Sequence, residues 1–270
     1  MTDDILYEKK GPVAYVTLNR PEKKNAITID MHHRLCEIWT DFRDDPELRV
    51  ALLRSSSDFF CAGADLETHA PEWQNVGPMV GRNRIDDGLC GITRGPLARF
   101  YKPIVVAIDG WCVGHAVELV MACDIRIATD RAQFGTFEIR RGMHCADGGI
   151  VNMLNTCGVG PTLEMLLTGE AFDAQKAYNV NMVSQVVAPE DLEATAEKVV
   201  AQILRCDQAA IESAKETVFE CIGRPYYDQL RVEAMWGYAL CGGSENFRQL
   251  REQFLNREDK GRVGTTENPL

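Results

Sequence analysis

The chain has 270 residues, 45% of them hydrophobic, and 29 Lys and Arg against 40 Asp and Glu give a formal net charge of −11. That balance excludes broad, non-specific binding to nucleic acid or anionic membranes and leaves room only for a local basic patch. A chain of this length buries a sizeable core without disulfides; its ten cysteines include no CxxC pair, so neither a disulfide framework nor a metal site is expected. The start, MTDDILYEKK, has acids where a secretory signal has a basic region, and no apolar run approaches the roughly 20 residues of a membrane helix. A reducing cytoplasm is the expected setting.

Val13–Leu18 (VAYVTL) reads as a strand after a turn at Gly11–Pro12. NRPEKKNA follows as a loop with three basic residues, and Met31, Leu35, Ile38, Trp39 and Phe42 then recur at helical spacing, which predicts an amphipathic helix over 29–43. Leu48–Arg54 is the next strand. Small residues and a glycine in SSSDFFCAGADLE (Ser55–Glu67) predict a tight functional loop. Residues 68–100 mix Gly, Pro, charges and apolar side chains and are expected to form one or two helices over a pocket.

Ile104–Ile108 is an uninterrupted apolar run, as in a strand buried on both faces. Asp109–Gly110 breaks it, Gly114 permits a tight path, and Ala116–Cys123 reads as a buried helix carrying one carboxylate, Glu118. Burying a glutamate costs free energy unless it has partners or a purpose. Ile125–Ala128 predicts a short strand, and Arg131–Gly149 ends in a glycine-bounded loop. Helices are expected from Ile150, over Pro161–Leu167 and over Asp173–Tyr178, with a strand at Val183–Val187. Beyond Pro189 only helical patterns recur, through 192–203, 208–222, 226–241 and 245–257. The expected division is an α/β core over 1–200 and a helical region over 201–270, with a loose tail at the end.

The two segments 48–67 and 104–124 share an organisation, each bringing small residues to the end of a strand. Two such loops can converge two backbone N–H groups on one carbonyl oxygen, the arrangement of an oxyanion hole.

LNRPEKKNA, FCAGADL, GWCVGHAVELVMACDIRIA and AQFGTFEIRRG resemble, in order, the signature segments of the enoyl-CoA hydratase/isomerase (crotonase) superfamily. LTGEAFDAQKAYNVNMVSQVV resembles the segment that follows them, and SENFRQLREQFLNR the closing helix. The resemblance implies a crotonase-like α/β spiral of ββα units with a helical C-terminal trimerisation region. It also implies an acyl-CoA substrate, and a homotrimer or a hexamer built as a dimer of trimers. Coenzyme A enters as part of the substrate, with no separate cofactor, no metal, no nucleic acid and no membrane.

By position, the backbone N–H groups of Ala64 and His115 match the oxyanion donors, with His115 where glycine is common. Its side chain either narrows and polarises the pocket or packs with no catalytic role. Glu118 and Glu138 match the two catalytic glutamates of the hydratases. The resemblance assigns Glu118 to activating water for attack on C3 and Glu138 to protonating C2. Retention of both favours hydration over isomerisation, for which one acid commonly suffices.

The resemblance places the CoA tail near Arg20, Lys23, Lys24, Ala26, Ala62, Asp65 and Leu66, with Asp65 expected to be structural, and Arg257 or Lys260 reaching a neighbouring subunit's phosphate. The loop GMHCADGG departs from the family's Gly-Pro-Gly-rich pattern. Asp147 is either a third catalytic acid there or a loop aspartate bonded to its own backbone; Cys145 is not expected to be a nucleophile. His115 and this loop motivate a second reading, isomerisation or hydration with C–C cleavage of an aryl or cyclic acyl-CoA. A third, a non-catalytic fold relative binding RNA, wants a lysine-rich exposed helix that 29–43 does not supply.

Overall fold

The computed structural model describes residues 4–75 and 101–256. It resolves into two compact units, Met1–Cys206 and Asp207–Leu270.

The first unit is built on a six-stranded sheet of β1 (Ile5–Lys10), β2 (Val13–Leu18), β3 (Val50–Ser55), β4 (Ile104–Ile108), β6 (Ile125–Thr129) and β9 (Gln185–Val187), in the spatial order β1-β2-β3-β4-β6-β9. All pairs are parallel except β1 with β2. A smaller sheet orders β5 (Trp111–Val113), β7 (Gln133–Gly135) and β8 (Phe172–Asp173). Parallel bridges Ile27↔Ala64 and Cys61↔Cys112 continue that second layer backwards along the chain.

Each turn of chain therefore runs strand, short second-layer pairing, helix. β2, Ile27 and α1 (Ile29–Asp44) make one turn. β3, Cys61–Ala64 and α2 (Leu66–Asn75) make the next, and β4, β5 and α3 (His115–Met121) the third. This is the spiral of ββα units expected from the resemblance.

The sequence explains the layering. Ile104, Val106 and Ile108 of β4 enter one apolar cluster while Val105 and Ala107 enter the other, and Ala51 and Leu53 of β3 divide in the same way from Val50 and Leu52. A period of two in a wholly apolar strand feeds both faces of a covered parallel sheet. On one face, Ala196, Val199 and Val200 of α7 (Leu192–Leu204) close the smaller cluster. On the other, α1 lays down Met31, Leu35, Ile38, Trp39 and Phe42 after a Thr28 cap that accepts from the Met31 amide at 3.1 Å. Burying each such large side chain is worth roughly 1.5–3 kcal/mol.

Four strands escape a reading of the sequence. β5, β7 and β8 have three, three and two residues, too short for any periodicity. β1 carries Glu8, Lys9 and Lys10 at the sheet edge, where charge discourages further pairing. Other elements differ by a few residues. The helix expected from Ala116 starts at His115, and α4 (Gly149–Cys157) and α5 (Val159–Thr168) extend beyond their expected bounds, as does α6 (Ala174–Asn179). Of the 68–100 segment, the structure describes α2; residues 76–100 lie outside the described residues.

In the second unit, α8 (Gln208–Cys221) precedes α9 (Tyr226–Ala234), which passes into a π-helical turn, Met235–Cys241, where the sequence predicts one uninterrupted helix. α10 (Glu245–Asn256) follows, and no residue of these four helical segments is buried in the single chain.

Candidate active site

The site is assembled on a braced pair of loops. Asn25 is fully buried, and its amide donates to Ser55 Oγ at 2.9 Å, Phe59 O at 3.0 Å and Phe60 O at 3.1 Å, while its Oδ1 accepts from the Arg20 amide at 2.7 Å. The Cys61 thiol donates to Asn25 O at 2.9 Å. Ile27 donates to Gly63 O and Asp65 donates to Ile27 O, each at 2.8 Å. Arg20 Nη1 reaches Asp65 Oδ2 at 2.7 Å and Ala26 O at 3.0 Å. The guanidinium holds the Asp65 carboxyl below its ordinary value, against the opposing effect of burial.

Arg20 and Asp65, expected beside the CoA tail, are thus engaged with one another as a brace. The exposed cations of this cluster are Lys23 and Lys24, the latter 5.3 Å from the Phe59 ring centroid. Ala26 and Ala62 are half-buried and Leu66 is 49% exposed. Arg257 and Lys260 lie outside the described residues.

The two expected oxyanion segments meet through backbone. Cys61 donates to Trp111 O and Val113 donates to Cys61 O, both at 3.0 Å. Gly63 has φ +88°, and a Cβ there would stand 2.5 Å from Val113 O and 3.1 Å from His115 N. Only glycine allows this approach. Gly114, at φ +59°, turns the chain from β5 into α3; a Cβ there would lie 2.9 Å from Glu138 Oε1. The same glycine thus starts the helix that carries Glu118 and leaves room for the second carboxylate.

The glutamates have contrasting surroundings. Glu118 is 3% exposed. Its Oε1 accepts from the Asp147 amide at 2.9 Å and the Gly149 amide at 3.3 Å. These two amides fix the direction of the carboxylate. Glu138 sits on the 3-10 turn Phe137–Arg141 after β7. Burial pushes its carboxyl above the ordinary glutamate value, and the Glu118 charge adds to that push, against a backbone hydrogen bond and the nearby His115 and Arg141. Its Oε2 and Thr136 Oγ1 are buried without a hydrogen-bond partner among the described residues.

His115 is 7% exposed. Its Nδ1 lies 3.4 Å from Glu118 Oε2 and 3.5 Å from Asp147 Oδ2. Its side chain is therefore turned to the acidic groups. Asp147 donates its backbone amide to Glu118 and turns its carboxylate toward His115, a placement that differs from a loop aspartate bonded to its own backbone. Burial raises the Asp147 carboxyl, but the His115 hydrogen bond and the nearby His32 and His69 outweigh this and hold it below its ordinary value.

Sequence reasoning missed those last two histidines. The His69 ring is 6.5 Å from His115 and 6.4 Å from His32, so α1, α2 and α3 each place one imidazole in a single array. Nothing in their spacing signals it. Cys145 is buried and its thiol is pushed up, chiefly by burial, which fits its expected inertness.

A spiral of ββα turns converging two backbone segments and two glutamates is the crotonase fold class. The enoyl-CoA hydratase/isomerase family model matches residues 8–259, and the chain belongs to that family. It is 34% identical over 194 residues to mevalonyl-coenzyme A hydratase of Aspergillus fumigatus, covering 72% of this chain and 69% of that one. It is 30% identical to carnitinyl-CoA dehydratase of Citrobacter koseri, covering 97% of this chain and 100% of that one. The solved structure of a probable enoyl-CoA hydratase/isomerase from Mycobacterium abscessus matches with a TM-score of 0.82 at 26% identity, covering 94% of this chain and 96% of the other. No helix among the described residues is long and apolar enough to cross a membrane.

Proposed function

We propose that the chain is an enoyl-CoA hydratase-type lyase that adds water across the C2=C3 bond of a 2-enoyl-CoA. The observation that carries this reading is the contrast between its two carboxylates. Glu118 is fixed by two backbone amides at Oε1, placed to take a proton from water as it attacks C3. Glu138 is desolvated, its carboxyl raised, with one buried oxygen unpartnered among the described residues, suited to hold a proton and deliver it to C2. Attack drives electrons onto the thioester oxygen, where the Ala64 and His115 amides are the proposed donors. The family and the relatives named as a hydratase and a dehydratase of CoA thioesters support the same direction.

The CoA tail is proposed to lie along Lys23, Lys24, Ala26, Ala62 and Leu66. A cytoplasmic homotrimer or hexamer is the assembly that goes with this reading. The His115–Asp147 pair favours one alternative, a third proton-handling group serving isomerisation or hydration with C–C cleavage of an aryl or cyclic acyl-CoA.

The test is incubation with crotonyl-CoA and with longer and aromatic enoyl-CoAs, following the conjugated thioester absorbance and product mass. A gain of one water is expected. An unchanged mass with a moved double bond, loss of an acetyl-CoA-sized fragment, or no turnover on the whole panel despite CoA binding each overturns the assignment. Glu118→Gln and Glu138→Gln are each expected to lower turnover by about 10²–10⁴-fold with the circular dichroism spectrum unchanged. Near-normal turnover in either removes the two-carboxylate mechanism.

A further inference from the structure

We propose that His32 and His69, together with His115, line the acyl end of the catalytic pocket and select enoyl-CoA substrates whose acyl chain carries a carboxylate. This inference rests on the hydration reading for the reaction and goes beyond it in naming the substrate class.

The three imidazoles come from three helices: His32 from α1, His69 from α2 and His115 from the start of α3. Their ring centroids follow one another at 6.4 Å and 6.5 Å. The array begins at the reacting groups, because His115 Nδ1 lies 3.4 Å from Glu118 Oε2. Glu118 is the carboxylate proposed to serve C3, so the array starts on the acyl side of the thioester.

The rings are held in place. His115 faces Glu118 and Asp147. His69 bonds to the backbone of Ile27 and Thr28. His32 Nε2 lies 3.8 Å from Cys36 Sγ, one helical turn further on. The other nitrogen of that ring, His32 Nδ1, is buried without a hydrogen-bond partner among the described residues. A buried imidazole nitrogen in that state is costly, and an alkyl chain laid against it restores nothing. An oxygen carried by the substrate does.

Charge decides which oxygen group fits. Burial lowers the His32 imidazole to about 4, and the neighbouring His115 and His69 add to that push. His69 is lowered in the same way, by burial first and then by His115. As cations the rings repel one another, and the carboxylate already present, Asp147, is paired with His115. A second carboxylate, brought by the substrate, relieves that repulsion. It gives His32 an acceptor for a charge-assisted hydrogen bond and His69 a counter-charge. A hydroxyl supplies an acceptor without the charge.

The experiment titrates the full chain calorimetrically with three saturated thioesters of similar reach. Glutaryl-CoA, 5-hydroxypentanoyl-CoA and 5-methylhexanoyl-CoA end in a carboxylate, a hydroxyl and a branched alkyl group. Glutaryl-CoA is expected to bind about tenfold or more tighter than either of the others. His32→Leu and His69→Leu are each expected to reduce that preference about tenfold, whereas His144→Ala retains it. His32→Leu keeps the test intact should His69→Leu fail to fold. Equal or tighter binding of the hydroxyl or alkyl thioester, an undiminished preference in His32→Leu, or its loss in His144→Ala overturns the proposal. In turnover, kcat/KM is expected to be higher for glutaconyl-CoA than for 5-methylhex-2-enoyl-CoA, and the reverse order also overturns it. The saturated thioesters have no double bond to hydrate, so their binding is read apart from the reaction. A preference for glutaryl-CoA with no turnover of any enoyl-CoA overturns the hydration reading and leaves the carboxylate preference standing.

Discussion

The surroundings of Glu138 bear on how stability varies with pH. Its folded carboxyl titrates above the ordinary value of 4.5, chiefly through burial. Above that pH the unfolded chain has released the proton while the folded protein keeps it, so the folded state binds more protons and stability falls as pH rises. Glu138→Gln is therefore expected to gain melting temperature relative to wild type as pH rises from about 4.5, with no gain below it. His32 has the opposite sign. Burial first, then the neighbouring His115 and His69, lower it from 6.5 to about 4. The unfolded chain takes the proton first as pH falls, so the stabilisation present above pH 6.5 is lost on descent toward pH 4. His32→Gln is expected to recover about 1–2 kcal/mol of the acid loss, after allowing for partial exposure; unfolding curves of both proteins at pH 7 and pH 4 check it. Of these side chains, Glu118 announces itself in sequence as a carboxylate in an apolar run. Glu138 is legible only through the family resemblance. The array of His32, His69 and His115 depends on three helices meeting, which no local pattern encodes.

At the scale of elements, the pocket depends on backbone approaching backbone. The run at 104–108 is legible because five apolar residues fill two core faces. The three-residue strands β5 and β7 are not, although they bring Gly114 and Glu138 together. They exist because the spiral supplies a neighbour for each, a long-range pairing without a sequence period. Gly63 is the joint of this construction. Gly63→Ala forces a side chain into φ +88° and against Val113 O, which is expected to cost about 2–4 kcal/mol. If the strain is relieved by moving the loop, turnover should fall with little change in CoA affinity, since the proposed Ala64 and His115 donors would be displaced. Denaturant unfolding together with a split of kcat from KM checks both. The Arg20–Asp65 brace makes a parallel case. Asp65→Asn leaves a largely buried guanidinium without its carboxylate, at an expected cost of about 3 kcal/mol.

On the scale of the whole molecule, the two units are stabilised by different means. Met1–Cys206 contains both apolar clusters and accounts for its own core. The helices of the second unit have no buried residue, yet Tyr226, Tyr227, Tyr238, Leu240, Phe247, Leu250, Phe254 and Leu255 are exposed along them. In α10, Phe247, Leu250, Phe254 and Leu255 recur at spacings of three, four and one, a continuous apolar stripe on one face of a helix. Such a stripe is unfavourable in water and marks an association surface. An obligate interface buries roughly 2,000 Å² or more, which requires a set of aromatic and aliphatic side chains of this size. The trimer or pair of trimers proposed above would cover such a stripe. Leu250→Glu combined with Phe254→Glu places two charges in that stripe and is expected to lower the mass in sedimentation equilibrium to that of a monomer, while the first unit keeps its circular dichroism signature. An unchanged mass in the double variant would locate the interface elsewhere. A wild-type protein that sediments as a monomer would remove the assembly altogether and leave the exposed stripe without an occupant among copies of this chain.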